Sequence, residues 1–247
     1  MPRIITLSSI NVGEDVERER EYLAASVDGL LDGLIIVNAR NRDETLAFLE
    51  KENITTVLID TLATATTPSV TVDNVQAAYM IVSHLIDLGH QRIAHIAGPA
   101  TLLVSQLREQ GYQKALAERN LPYRKTIHSK SREWVYQVGY EAMQELLRSN
   151  PRPTAIFASS DQMAIGAYRA ITEAGLAVPE DFSVVGFDDI DIAAFVVPAL
   201  TTIRQPFSKL ASRAVSLLFQ FLAGEEPEIT QIILPPQLIV RQSTKEL

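Results

Sequence analysis

Short apolar runs, most of them followed by a segment of helical periodicity, recur along this 247-residue chain. Gly33-Leu34-Ile35-Ile36-Val37, Thr56-Val57-Leu58-Ile59-Asp60 and the stretch from Arg92 to Ala97 are of this kind. A strand without polar alternation is buried on both faces, the condition of a parallel sheet covered by helices on either side. The repeated β-α-β rhythm therefore predicts an α/β fold of doubly wound parallel sheets. Two further runs carry most of the functional information. Thr154-Ala155-Ile156-Phe157-Ala158 ends in Ser159-Ser160-Asp161, and Phe182-Ser183-Val184-Val185-Gly186-Phe187 ends in Asp188-Asp189. Ligands of open parallel sheets occupy the crevice beyond the carboxyl ends of the strands. A binding site is accordingly expected between Pro153 and Gln205.

The other elements follow in order. Arg3 to Ser8 reads as a strand, Glu14 to Ala25 as a helix with a charged, solvated face, and Arg42 to Lys51 as a second helix. Thr61 to Ser69, rich in Thr and Ala, reads as a loop. Asp73 with Gln76 has the spacing of a capping box, and Gly89 is the natural stop of the helix that ends at Leu88. Further helices are expected over Ser105–Glu118, Trp134–Leu147, Gln162–Ala174 and Phe207–Leu222. Strands are expected over Thr126–His128, Thr201–Gln205, Ile229–Leu234 and Gln237–Val240. The loop before Val72 and the late return at Gln205 point to two sheets rather than one.

Composition and motif content exclude several function classes. The absence of cysteine removes disulfide frameworks and thiolate metal sites, and suits a reducing cytoplasm. A net charge of −8, from 30 acidic and 22 basic residues, is the wrong sign for a chain that itself reads nucleic acid. Met1 to Ile5 does not open a secretory signal, and no apolar run is long enough to span a bilayer. Phosphate-binding, dinucleotide-binding and nucleophile-elbow motifs are all missing. His84, His90, His95 and His128 form no metal-binding pair and read as structural. His90, directly after Gly89, is placed to complement a helix dipole as a cation. No catalytic residue, metal or cofactor is assigned, and the chain is expected not to be an enzyme.

What remains is a set of recognition candidates. Asp188, Asp189 and Asp191 form a carboxylate cluster without an acid–base partner or a metal set. An ionised carboxylate accepts two hydrogen bonds from a vicinal diol. Asp188, first after the strand, is assigned to recognition, and Asp189 and Asp191 to capping a turn or helix. Ser159 with Gln162 has capping-box spacing and is assigned the helix start, which leaves Ser160 as a contact. Asp161 sits in the first helical turn, where the dipole favours an acid. Trp134, the single Trp, is either core or a platform for the apolar face of a sugar ring.

These motifs, in their order, resemble the LacI/GalR family of bacterial transcriptional regulators, specifically its effector-binding and dimerisation core. The resemblance rests on Val72-Asp73-Asn74 with Leu85-Ile86-Asp87-Leu88-Gly89-His90-Gln91-Arg92-Ile93-Ala94, and on Gly98-Pro99 followed by Arg108-Glu109-Gln110-Gly111-Tyr112. It continues through Pro153 to Ala167, Val178 to Asp189, Leu200 to Pro206 and Leu238 to Thr244, and so covers nearly the whole chain. The resemblance implies a type I periplasmic-binding-protein-like fold of two subdomains, residues 1–72 with 205–234 and residues 73–204 with 235–247. It implies a sugar or nucleoside-like effector in the cleft between them, facing Arg108, Trp134, Ser160, Asp188 and Gln205. The Arg108 guanidinium suits bidentate contact with a diol or carboxylate.

Three departures from the family pattern stand out. Its helix-turn-helix and hinge helix have no counterpart here, so operator DNA is expected to be met only through a head not in this chain. Its first core strand and helix also lack a match, since Arg3 to Val37 aligns from the second strand onward, which leaves the N-terminal subdomain with unpaired backbone. Ser160 stands where the family often has Asn. The expected function is the ligand-sensing and dimerisation core of a cytoplasmic regulator without membrane contact. The alternative is a solute-binding protein for transport, which shares the fold. Ile192-Ala193-Ala194-Phe195-Val196-Val197 is expected to form part of a homodimer contact.

Overall fold

The computed structural model describes residues 21–23, 32–37, 42–60, 67–123, 126–129 and 134–247. The strand expected over Arg3–Ser8, most of the helix over Glu14–Ala25, most of the Thr61–Ser69 loop and most of the residues that bear on the expected loss of the first core strand lie outside those described. In chain order the elements begin with β1 (Leu34–Val37), α1 (Arg42–Lys51), β2 (Thr56–Ile59), β3 (Ser69–Val72), α2 (Asn74–Asp87) and β4 (Ile93–Ala97). They continue with α3 (Leu103–Glu118), β5 (Ile127–His128), α4 (Tyr136–Leu147), β6 (Ala155–Ala158), α5 (Asp161–Glu173) and β7 (Ser183–Val185). A 3-10 turn (Asp191–Ala194) precedes β8 (Thr202–Arg204), α6 (Phe207–Leu222), β9 (Gln231–Leu234) and β10 (Gln237–Ile239). The chain divides into two compact units, Met1–Thr71 with Pro206–Leu234 and Val72–Gln205 with Pro235–Leu247.

The first unit is built on a sheet of order β1-β2-β3-β9, with β1–β2 and β2–β3 parallel. Every residue of β2 is buried, as its unbroken apolar run requires. Helix α6 packs on β1 and β2 through Leu210, Ala214, Leu217 and Leu218, a stripe at helical spacing. Leu46 and Leu49 of α1 join Leu23 and Leu58 in a small cluster of their own.

The second unit shows why alternation within an apolar strand still matters. Its parallel sheet has the order β5-β4-β6-β7. Ile93, Ala155, Phe157 and Val185 pack with Ala77, Ile81 and Leu85 of α2 and Tyr112, Ala115 and Leu116 of α3. Their neighbours Ala94, Ile96, Ile156, Ala158 and Val184 pack with Ala142 and Met143 of α4 and Met163, Ala167 and Ile171 of α5. Successive side chains point to opposite faces, so one apolar run supplies two cores. Within each helix pair a glycine sets the closest approach. A Cβ on Gly166 would collide with the Tyr136 carbonyl, one on Gly139 with the Met163 carbonyl, and one on Gly111 with the Val75 carbonyl.

Strand order positions the site. From β4 the chain proceeds to β5 on one side and later to β6 and β7 on the other, so the order reverses between β4 and β6. Such a reversal opens a crevice at the carboxyl ends. β8 pairs antiparallel with β10, and the bridges Val185↔Thr201 and Asp188↔Arg204 lay it alongside the end of β7.

Candidate functional site

The turn after β7 carries Asp188 and Asp189 at φ 120° and 58°, a region non-glycine residues seldom occupy. Such a backbone persists only where its surroundings over-determine it. Here the Asp188 N–H donates to the Ile203 carbonyl (2.8 Å), the Gln205 N–H to the Asp188 carbonyl (3.3 Å) and the Asp161 N–H to the Phe187 carbonyl (2.8 Å). The Asp161 side chain completes the clamp, accepting from the Ile190 N–H (2.9 Å) and the Thr202 hydroxyl (2.5 Å). Gly186 makes room for it, since a Cβ there would strike the Asp161 carboxylate. Burial pushes the Asp161 carboxyl up to about 7; the Thr202 and Ile190 hydrogen bonds oppose that, and the charges of Asp188 and Asp189 add to it.

Asp188 is linked directly to two of the other four residues expected at the site. Its Oδ1 accepts from Gln205 Nε2 at 2.6 Å and lies 3.9 Å from Arg108 Nη2. Arg108 is buried on α3, where Nε donates to Asn74 Oδ1 (2.9 Å) and Nη1 to the Ser159 carbonyl (2.6 Å). The guanidinium lies 3.7 Å from the Phe187 ring centroid and 5.2 Å from that of Trp134. Trp134 is half-buried against the backbone of Gly98, where a Cβ would clash with the indole. The Ser160 hydroxyl donates to the Trp134 carbonyl (3.4 Å) and accepts from the Met163 N–H (3.2 Å). Arg108, Trp134, Ser160, Asp188 and Gln205 thus form one contiguous group within the Val72–Gln205 unit. Gln205 Oε1 is buried and has no hydrogen-bond donor among the described residues.

A second polar layer lies behind Arg108. Ser159 Oγ pairs with His95 Nε2 (2.6 Å), and His95 Nδ1 with Thr126 Oγ1 (3.3 Å). Tyr123 then joins Thr126 (3.1 Å) to Glu109 (2.9 Å), whose other oxygen faces His128 at 3.3 Å. His95 is stacked on Phe157 with centroids 4.7 Å apart. Burial pushes its imidazole down to about 3, with smaller contributions from His128 and Arg108.

Several expectations are corrected. Ser159 does not cap the following helix; Ser160 does. Ser159 continues the Ala155–Phe157 face of β6, which is also the Ile93–His95 face of β4, so its hydroxyl meets His95 instead. His90 is no dipole cation. It is buried between the Thr154 (3.0 Å) and Ser183 (2.9 Å) hydroxyls, and burial lowers its pKa. Asp189 caps nothing; Arg204 and Arg241 each hold one of its oxygens at 2.6 Å, bonds that keep its carboxyl low against the opposing effect of burial. Asp191 sits in the first turn of the 3-10 segment, which has no side-chain cap. Asp73, by contrast, accepts the Gln76 N–H (2.8 Å) as its spacing predicts. Residues that local pattern did not reveal are Asn74, His95 and Asp161, whose partners are distant in sequence; the Asn74 of the Asp-Asn pair was the available signal.

Among the described residues no group of three or more ligating side chains could hold a metal ion, and no helix is long and apolar enough to cross a membrane. A family model described as a periplasmic binding protein-like domain matches residues 82–244. The chain is 33% identical over 245 residues to the HTH-type transcriptional repressor PurR of Mannheimia succiniciproducens, covering 96% of this chain and 71% of that protein. It is 32% identical to catabolite control protein A of Priestia megaterium, over 95% of this chain and 71% of that one. A LacI family transcriptional regulator from Enterococcus faecium with bound ribose superposes with a TM-score of 0.82 at 32% identity, over 92% of this chain and 84% of that chain. The regulator CelR in its cellobiose complex gives 0.85 at 29% identity, over 94% and 71%. Identity at this level over nearly the whole chain, joined to a shared fold, places the chain in the LacI family of transcriptional regulators, whose periplasmic-binding-protein-like effector-binding core it spans.

Proposed function

We propose that the chain senses a sugar or nucleoside-like effector at the strand ends of the Val72–Gln205 unit. Arg108, Trp134, Asp188 and Gln205 face the ligand in this reading, and Ser160 holds the Trp134 backbone. The observation that carries it is the Arg108–Asp188–Gln205 chain, built into an over-determined turn at a reversal of strand order. Two similar structures hold ribose and cellobiose, which supports a sugar. The relatives are regulators, and this chain is not an enzyme.

The effector acts through its differential affinity for two conformations of a cytoplasmic homodimer. Operator DNA is met through a helix-turn-helix outside the residues described. The homodimer contact includes Phe195 and Val197, which are 78% and 93% exposed. A thermal-shift panel of free sugars and nucleosides tests the effector reading. A ligand at a hundredfold its Kd stabilises by about 2.7 kcal/mol, so at least one member is expected to raise the Tm. A flat response across the panel contradicts the proposal.

A further inference from the structure

We infer, on the effector reading above, that Glu109 is a positioning residue for the site: it fixes buried His95 as the Nδ1–H tautomer, and His95 in turn fixes how Ser159 holds Arg108. Glu109 follows Arg108 on α3, yet its side chain reaches that guanidinium only through Tyr123, Thr126, His95 and Ser159. The proton count along this relay allows one direction only. An ionised carboxylate accepts and never donates. Each group that meets Glu109 can donate: Tyr123 Oη (2.9 Å) and Gln113 Nε2 (3.5 Å) at Oε1, and His128 Nε2 (3.3 Å) at Oε2. The single Tyr123 hydroxyl proton is therefore committed to Glu109, and in the Tyr123–Thr126 contact (3.1 Å) the Thr126 hydroxyl donates. Thr126 then has no proton for His95 and accepts from its Nδ1–H (3.3 Å). A neutral imidazole carries one N–H, so Nε2 is the acceptor and takes the Ser159 hydroxyl proton at 2.6 Å.

The surroundings leave the imidazole no other arrangement. His95 is fully buried, stacked on Phe157 (4.7 Å, 5°) and 5.0 Å from the Tyr112 ring. A ring turned over in that slot would set carbon against both hydroxyls. Burial lowers its pKa and keeps it neutral. Ser159 is consequently held at three points. Its N–H donates to the Ile96 carbonyl (2.8 Å), its hydroxyl to His95, and its carbonyl accepts from Arg108 Nη1 (2.6 Å). With the proton on Nε2 instead, the buried Ser159 hydroxyl would have no acceptor among the described residues, a state that is costly inside a fold. Ser159 would then shift, and its carbonyl is one of the groups that place the Arg108 guanidinium over Phe187 and beside Asp188. Hydrogen bonds in such a chain also polarise one another, so an acceptor at the outer end is felt at the inner one.

Nitrogen NMR of the 15N-labelled full chain near neutral pH tests this. In the native chain His95 Nδ1 is expected to resonate as a protonated, pyrrole-type nitrogen and Nε2 as a pyridine-type one. Tyr123→Phe deletes one hydroxyl from a half-exposed side chain, and Glu109→Leu removes the carboxylate. Either change frees Thr126 to donate to Nδ1, so both variants are expected to show a mixture of the two tautomers and a displaced Arg108 Nε–H signal. A role in stability alone would lower the Tm and leave that signal in place. With an effector identified by thermal shift, Tyr123→Phe is expected to weaken binding by about fivefold, the worth of one neutral hydrogen bond. An Nε2–H tautomer in the native chain overturns the inference, as does an Arg108 Nε–H signal or an effector affinity unchanged in the variants. The two NMR readings need no ligand. A panel in which nothing binds therefore removes the effector reading and leaves those signals to decide the relay.

Discussion

Asp161 shows most clearly what a single residue does here. Its carboxyl joins the start of α5 to the strained turn and to β8, and it does so while buried. A carboxyl at about 7 in the fold against 3.8 in the open chain disfavours its charged form by on the order of 4 kcal/mol. With a raised folded pKa, its favourable contribution is complete below about 3.8 and is lost as pH rises through about 7. Asp161→Asn keeps an oxygen for the Ile190 N–H and offers an N–H to Thr202 without the charge. Denaturant midpoints should therefore show the variant gaining on the native chain as pH rises from about 4 through 7; a constant difference across that range contradicts the assignment. His95 acts in the opposite sense. Its depressed pKa contributes stability above 6.5 that is lost as pH falls toward about 3. At this scale the sequence reveals chemistry better than partnership. Asp188 stands out as the first acid after a strand, but the capping spacing fits Ser159 and Ser160 alike, and only the shared face of β4 and β6 decides between them.

Among elements, the α4–α5 pair is held at glycine-to-carbonyl contact, and that contact is predicted to be intolerant. Gly166→Ala adds a methyl against the Tyr136 carbonyl, a backbone group that cannot rotate away. Overpacking of this kind costs about 1–3 kcal/mol, more than the roughly 1 kcal/mol gained in helix propensity, so chemical denaturation should show a net loss. The 3-10 turn and the residues that follow it behave differently. Ala193 is buried, while Phe195 and Val197 stand in solvent. Full burial of such a side chain is worth about 1.5–3 kcal/mol, counted twice across a twofold contact. If the proposed homodimer uses this segment, Phe195→Asp shifts it toward monomer in sedimentation equilibrium with little change in Tm at the monomer level. An unchanged association constant would take this segment out of the interface. Element type was legible because unbroken apolar runs and helix punctuation are local signals. Helix contact geometry was not, because Gly139 and Gly166 meet their neighbours across a tertiary interface.

For the whole molecule, the β-α rhythm was enough to read a parallel α/β architecture, and the ordered motifs were enough to read the family. Of the proposed site, Arg108, Asp188 and Gln205 could be named from the sequence as candidates, whereas the residues that support them, Asn74, Ser159 and Asp161, could not, because they act through contacts distant in sequence. The central claim is that a small ligand binds against Arg108, Trp134 and Asp188. Trp134 is the single Trp in the chain, so selectively excited tryptophan emission reports on that place alone. The direct measurement is a fluorescence titration, with the effector found by thermal shift, of the native chain and of Asp188→Asn. Loss of a charged hydrogen-bond partner is worth about 1.5–3 kcal/mol. The account predicts a saturable change in Trp134 emission whose midpoint moves at least tenfold higher in Asp188→Asn. Saturation at the same concentration in both proteins, or a Tm shift with no change in Trp134 emission, would contradict it.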